Sequence, residues 1–247
     1  MKTRWILPLA ATAALYGQNS FQNSSWLAIS HQRGPQLEGQ AGPVLGKPFS
    51  GTEIRTSKSP LADGSTAGKT STSKIYRDAE GRMRSEGGTS TMLFDAPTMM
   101  SYTINSRGCS QNKLSDKQNV IIAATNGGTS WSTFGPSKSG PNPHVATEDL
   151  GFQVVNGISA KGARQTITIP ASTAGSDHDL KVINERWYSD ALGVLIKSTN
   201  VDPRFGTMTY DLTDISQSTP PTSLFAPPAG CKEFQNPAMK MLPHPQN

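Results

Sequence analysis

Between Gly206 and Ile215 the chain reads GTMTYDLTDI, in which Met208, Tyr210 and Leu212 point one way and Thr207, Thr209, Asp211 and Thr213 the other. Side chains alternate across a β-strand, so this pattern predicts a strand in a sheet with one buried face. Similar segments, rich in Thr, Ser, Val, Ile and Tyr and bounded by Gly, Pro, Asp and Asn, follow one another from Pro48 to about residue 216. The pattern predicts strands near 49–57, 67–77, 82–88, 90–95, 99–105, 108–114, 150–156, 158–169, 180–189, 193–201 and 206–216. The expected fold is mainly β: a single curved antiparallel sheet or half-barrel of about 10 or 11 sequential strands, with a two-sheet β-sandwich as the alternative.

The hexapeptide pattern Y-x-D-A-x-G occurs twice, as Tyr76 to Gly81 and as Tyr188 to Gly193, each time between two strand-like runs. Asp accepts backbone hydrogen bonds at the start of a turn and Gly tolerates positive φ at its end, so both copies are expected as hairpin turns. Two regions depart from the strand pattern. Asn126 to Asp149 is a long stretch of Gly, Ser and Pro, in which Trp131 and Phe134 either cover an apolar cavity or pin a loop. Residues 233–247 read as a disordered tail.

The N-terminus changes the picture from fold to location. MKTRWILPLAATAALYGQ has a basic start, an apolar run from Trp5 to Leu15 and a small-residue exit at Gly17, so residues 1–17 are expected to be a secretory signal peptide. That run is about 11 residues against about 20 for a membrane span, and no other stretch approaches such a length. Residues 18–47 then read as a flexible arm, and residues 48–232 as the β domain. The expectation is an exported, periplasmic or secreted protein with no transmembrane segment after cleavage.

Composition agrees: of 247 residues, 23 are Gly and 18 Pro, which favours turns and short strands over long helices. Loss of Lys2 and Arg4 with the signal lowers the formal charge of +5 by two. The remaining cations, such as Lys58, Lys69, Lys74, Arg77, Arg82 and Arg84, are scattered, so no nucleic-acid partner is expected. The two cysteines, Cys109 and Cys231, are a disulfide candidate in an oxidising compartment, a matter for geometry to decide.

Few motifs carry chemistry. Gly64 to Ser71, GSTAGKTS, looks like a phosphate-binding loop but has three residues between its glycines where four are needed, and a strand-like run follows it. His31, His144, His178 and His244 stand singly, and Asp177-His178-Asp179 reads as a solvated turn. No metal site, cofactor or catalytic residue is expected.

The stretch Ile183 to Ile215 and the following PPTSLFAPPAGCKE resemble an exported acidobacterial-type protein family. FSGTEIRTSKSPLADGS, IYRDAEGRMRSE, LFDAPTMMSYTI and LGFQVVNGISAKGARQTITIP are similar to it in the same order. That resemblance covers Pro48 to Lys232 and implies export, with no particular activity. More loosely, Ser223 to Pro228 resembles the final segment of the periplasmic lipoprotein-carrier and sigma-regulator group. This implies an incomplete antiparallel barrel around an apolar cavity, although the sequence lacks the amphipathic helices that plug such barrels.

Three functions follow as expectations. The first is a non-catalytic envelope protein that binds an apolar ligand, a lipid or an acylated protein, with Trp187, Tyr210, Phe205 and Trp131 as candidate ligand-binding residues. The second is a structural, interaction or envelope-sensing protein that takes an envelope protein as partner without a small ligand. A secreted hydrolase is third.

Overall fold

Hairpin follows hairpin through most of the chain. The structure is a computed structural model that describes residues 43–113 and 144–233. Six strands form a first meander: β1 (Phe49–Pro60), β2 (Thr66–Arg77), β3 (Met83–Gly87), β4 (Ser90–Asp95), β5 (Met100–Asn105) and β6 (Gly108–Lys113). Five form a second: β7 (Val145–Val155), β8 (Ile158–Ile169), β9 (Leu180–Ser189), β10 (Val194–Asp202) and β11 (Gly206–Ser216). The short β12 (Lys232–Glu233) lies parallel to β6.

The meanders are joined side by side through antiparallel pairing of β1 with β11, giving one 12-stranded sheet in the order β12-β6-β5-β4-β3-β2-β1-β11-β10-β9-β8-β7. The sheet is open and curled, a half-barrel rather than a sandwich. All eleven strands expected from periodicity are present. The twelfth has two residues, too few to show a period.

Two boundaries differ from expectation. β7 begins at Val145, inside the stretch expected to remain loop as far as Asp149, because pairing with β8 extends from Val145↔Ile167 onward. Residues 126–143 of that stretch, the signal peptide, most of the arm and residues 234–247 lie outside the described residues. Residues 43–47, expected at the end of a mobile arm, are instead held against the sheet by the two repeated hexapeptides.

Both copies are turns, with Gly81 at φ 78° and Gly193 at φ 60°. In the first, buried Asp78 accepts hydrogen bonds at Oδ1 from the backbone N–H of Glu80 at 3.0 Å and Arg82 at 2.9 Å. In the second, Asp190 is exposed, and the buried Ser189 hydroxyl oxygen accepts from the Leu192 N–H at 3.4 Å. Arg77, 1% exposed, connects them: its Nε donates to Lys47 O at 2.9 Å, Nη1 to Gly193 O at 3.3 Å, and Nη2 to Leu192 O. Its guanidinium also lies 4.6 Å from the Phe49 ring centroid. Gly46 N–H donates to Ala79 O at 2.8 Å, which seats the incoming chain between the turns.

The alternation places Phe49, Ile75, Met83, Phe94 and Leu212, none more than 2% exposed, on one face, called the inner face here. The opposite face of β4 and β5 presents Leu93 and Tyr102, covered by Phe225 from the 3-10 turn Thr222–Phe225. Burying a Phe stabilises by about 1.5–3 kcal/mol, so this contact fastens the C-terminal segment across the outside of the sheet. Arg84 Nη1 donates to Leu224 O at 2.9 Å, and Cys109 and Cys231 form a disulfide with Cα atoms 4.6 Å apart. Strand β6 and the C-terminal segment are thereby locked together at one edge of the sheet.

Candidate ligand site on the inner face

Polar residues stand where the strand period would put apolar ones. Directly opposed residues share a face, and the pairs Arg55↔Tyr210, Tyr210↔Ser198 and Ser198↔Arg186 carry one polar row across β1, β11, β10 and β9. Gln165↔Asn184 and Asn184↔Asn200 form a second row two residues further along the same face. Glu53 joins the first row from two positions before Arg55, opposite Leu212.

In the first row Tyr210 is 0% and Glu53 4% exposed. The Tyr210 hydroxyl donates to Glu53 Oε1 at 3.3 Å, and Arg55 Nη2 reaches Glu53 Oε2 at 3.2 Å. Burial pushes the Glu53 carboxyl above its ordinary value, against the smaller opposing pulls of Arg55 and of the Tyr210 hydrogen bond. Burial also lowers the Arg186 guanidinium to about 9, which leaves it charged at neutral pH.

The amide row contains a polar side chain with nothing to bind. Asn200 Nδ2 donates to Asn184 Oδ1. Gln165 is 1% exposed, and neither Nε2 nor Oε1 has a hydrogen-bond partner. A buried amide left in that state costs about 1–3 kcal/mol, so it is a place where a bound polar group or an ordered water gains most.

The sequence-derived aromatic set divides in space. Tyr210 lies in the polar row. Trp187 pairs with Lys197, one position out of phase with Arg186, and so occupies the opposite face. Its ring covers Gly162, where an added Cβ would lie 2.6 Å from the ring, and its indole N–H donates to Glu185 Oε1 at 2.9 Å. Phe205 sits in the turn between β10 and β11, 68% exposed, with the Arg204 guanidinium 4.9 Å from its centroid. Trp131 lies outside the described residues.

Glu53, Gln165, Asn184, Arg186 and Asn200 were absent from the sequence-derived set. Their signal is a polar residue in the inward phase of a strand, legible only once the phase is fixed. Two other motifs resolve plainly. Thr66 to Ser71 of the loop-like GSTAGKTS belongs to β2, and Asp179 Oδ1 accepts from Ala171 N–H at 2.9 Å while Asp177 pairs with His178. Among the described residues no helix is long and apolar enough to cross a membrane.

No family model matches the sequence, and no curated protein matches it. Solved structures similar to this chain include MucB in the MucA/MucB complex of Pseudomonas aeruginosa, at 16% identity and TM-score 0.36, covering 75% of this chain and 57% of that one. A LolA superfamily protein from Nitrosomonas europaea is similar at 12% identity and TM-score 0.34, covering 75% and 92%. LprF from Mycobacterium bovis is similar at 10% and 0.32, covering 70% and 89%. The chain thus spans less than three fifths of the MucB chain. The looser resemblance seen in the sequence, to the lipoprotein-carrier and sigma-regulator group, matches these neighbours, while the acidobacterial-type resemblance rests on the sequence alone. At identities and TM-scores this low, no residue's role passes from them to this chain.

Proposed function

We propose that this chain is an exported, non-catalytic envelope protein that holds an amphiphilic ligand, a lipid or an acylated protein, against the inner face of its curled sheet. The observation that carries this reading is Gln165, buried with both amide atoms unpartnered, beside Asn184 in the polar rows of a face that also holds apolar core. The polar part of the ligand supplies the missing hydrogen bonds, and its apolar part packs against the side chains that surround them. A donor and acceptor in one amide suit a group with the same pair, such as an amide or a hydroxyl.

The test is native mass spectrometry of the protein purified from an exporting bacterial host, with organic extraction of bound material. We expect a co-purified amphiphile that is lost in Gln165→Leu, a variant that removes the unpaired amide and keeps the fold by circular dichroism. A clean apo mass, unchanged after incubation with lipid, overturns the reading.

A second reading has its own observation. Edge strand β7 exposes Phe152 at 72% and Val154 at 69% on the same side of the strand, a surface suited to an extended segment of an envelope protein added to the sheet edge. It predicts a captured protein and no extractable ligand.

A further inference from the structure

The end of the sheet where the β1–β2 and β10–β11 turns meet carries apolar side chains that neither the core nor the inner face uses. Leu61 is 48%, Phe205 68% and Val201 38% exposed, three of the six large exposed hydrophobics among the described residues. The turns that carry them are neighbours. Lys58 pairs with Thr207 and Thr207 with Val201, and a Cβ on Gly206 would lie 2.9 Å from Ser59 Cα, so the two turns touch.

This end projects. β3 pairs with β2 only over Ser73–Arg77, so the first half of β2, residues 66–72, is exposed on both faces. At about 3.3 Å per residue the β1–β2 hairpin extends about 20 Å beyond β3. Its tip is ordered: Leu61 N–H donates to Ser65 O at 2.8 Å, Gly64 N–H to Leu61 O at 3.0 Å, and Asp63 Oδ1 accepts from Ser65 N–H at 2.9 Å. In the neighbouring turn, Phe205 N–H donates to Asp202 O at 3.1 Å, and Arg204 Nη2 lies 2.8 Å from Asp202 Oδ2. The two turns that carry the exposed Leu61 and Phe205 are therefore each closed by their own hydrogen bonds.

The charges beside them are Lys58, Lys69 and Arg204 against Asp63 and Asp202. Asp202 is paired with Arg204, while Asp63, bonded by Ser65, stays anionic at the tip; with Lys58 and Lys69 exposed, the local balance is positive by one. A pair of turns with exposed Leu61 and Phe205, backed by Lys58 three residues before Leu61 and by Lys69 opposite Ser57, fits a bilayer interface with anionic headgroups. Apolar groups enter the acyl boundary while ammonium groups stay at headgroup level.

We propose that this end of the sheet docks the protein on a lipid bilayer that carries anionic headgroups, with Leu61 and Phe205 inserted. The proposal is independent of the inner-face ligand. It is tested by flotation of the protein with vesicles of phosphatidylcholine alone and with added phosphatidylglycerol. We expect binding to the anionic vesicles that weakens with salt and falls at least about tenfold in the double variant Leu61→Ser, Phe205→Ser. Circular dichroism checks its fold, and retention of co-purified ligand in that variant is read separately. No binding, equal binding to neutral vesicles, or binding unchanged by the double substitution overturns the proposal. So does anionic-vesicle binding insensitive to Lys58→Glu with Lys69→Glu.

Discussion

Replacing Arg77 by Met tests the account of the repeated hexapeptides. The guanidinium makes three hydrogen bonds to the carbonyls of Lys47, Leu192 and Gly193, and hydrogen bonds to a charged group contribute about 1.5–3 kcal/mol each, or roughly 5–9 kcal/mol together. Against this stands the cost of burying the cation. Burial brings Arg77 down to about 10, which at about 1.4 kcal/mol per pH unit amounts to roughly 3 kcal/mol. Met relieves the second and forfeits the first, for a net loss of about 2–6 kcal/mol. In a domain of this size that lowers Tm by on the order of 10 °C. The assay is urea unfolding followed by circular dichroism, with limited proteolysis near Lys47 as a local readout, because residues 43–47 lose their anchor. Arg77→Lys keeps the charge without the fork and is expected to recover less than half of the loss. A Met variant within about 0.5 kcal/mol of the parent would refute the reasoning, since the buried cation would then be as costly as its bonds are favourable.

Two further predictions address the sheet faces. Gly162→Ala places a methyl group 2.6–2.8 Å from the Trp187 ring atoms, so the indole must shift, and we expect about 1–3 kcal/mol of destabilisation by urea unfolding monitored by tryptophan fluorescence; an unchanged midpoint would show that the ring gives way freely. The Glu53 carboxyl, raised by burial, keeps its proton to higher pH in the folded protein than in the unfolded chain, so its contribution is full below the ordinary Glu range and is lost as pH rises through the native value. Unfolding free energies measured from about pH 4 to about pH 8 should therefore fall in the parent relative to Glu53→Gln; a parent that gains on the variant with rising pH would mean that Arg55 and Tyr210 outweigh burial.

The strands were legible because each signals itself locally. GTMTYDLTDI alternates, and the runs on either side of YRDAEG and YSDALG end at residues that favour turns. The turn reading held for both copies, yet their use of Asp did not. Asp78 binds its own turn, while Asp190 faces solvent and the Ser189 hydroxyl accepts from the second turn instead. The aromatic set is split for a related reason. Trp187 and Tyr210 look alike in composition, but register puts them on opposite faces. A polar residue such as Gln165 draws no attention until its strand's inward phase is known.

By itself the sequence determined what depends on near neighbours: the strand periods and the hairpin turns, with one curved sheet and two packed ones left as alternatives and export as an expectation. Only the tertiary structure decided what depends on distant pairs. It joined β1 to β11, and so made one sheet of two meanders. It brought the two hexapeptides together through Arg77, bonded Cys109 to Cys231 across 122 residues of sequence, and set Glu53 against Tyr210. The physical reason is that a strand's period fixes which side chains share a face, while the partner opposite each one is fixed by long-range pairing, for which a single strand carries no local signal.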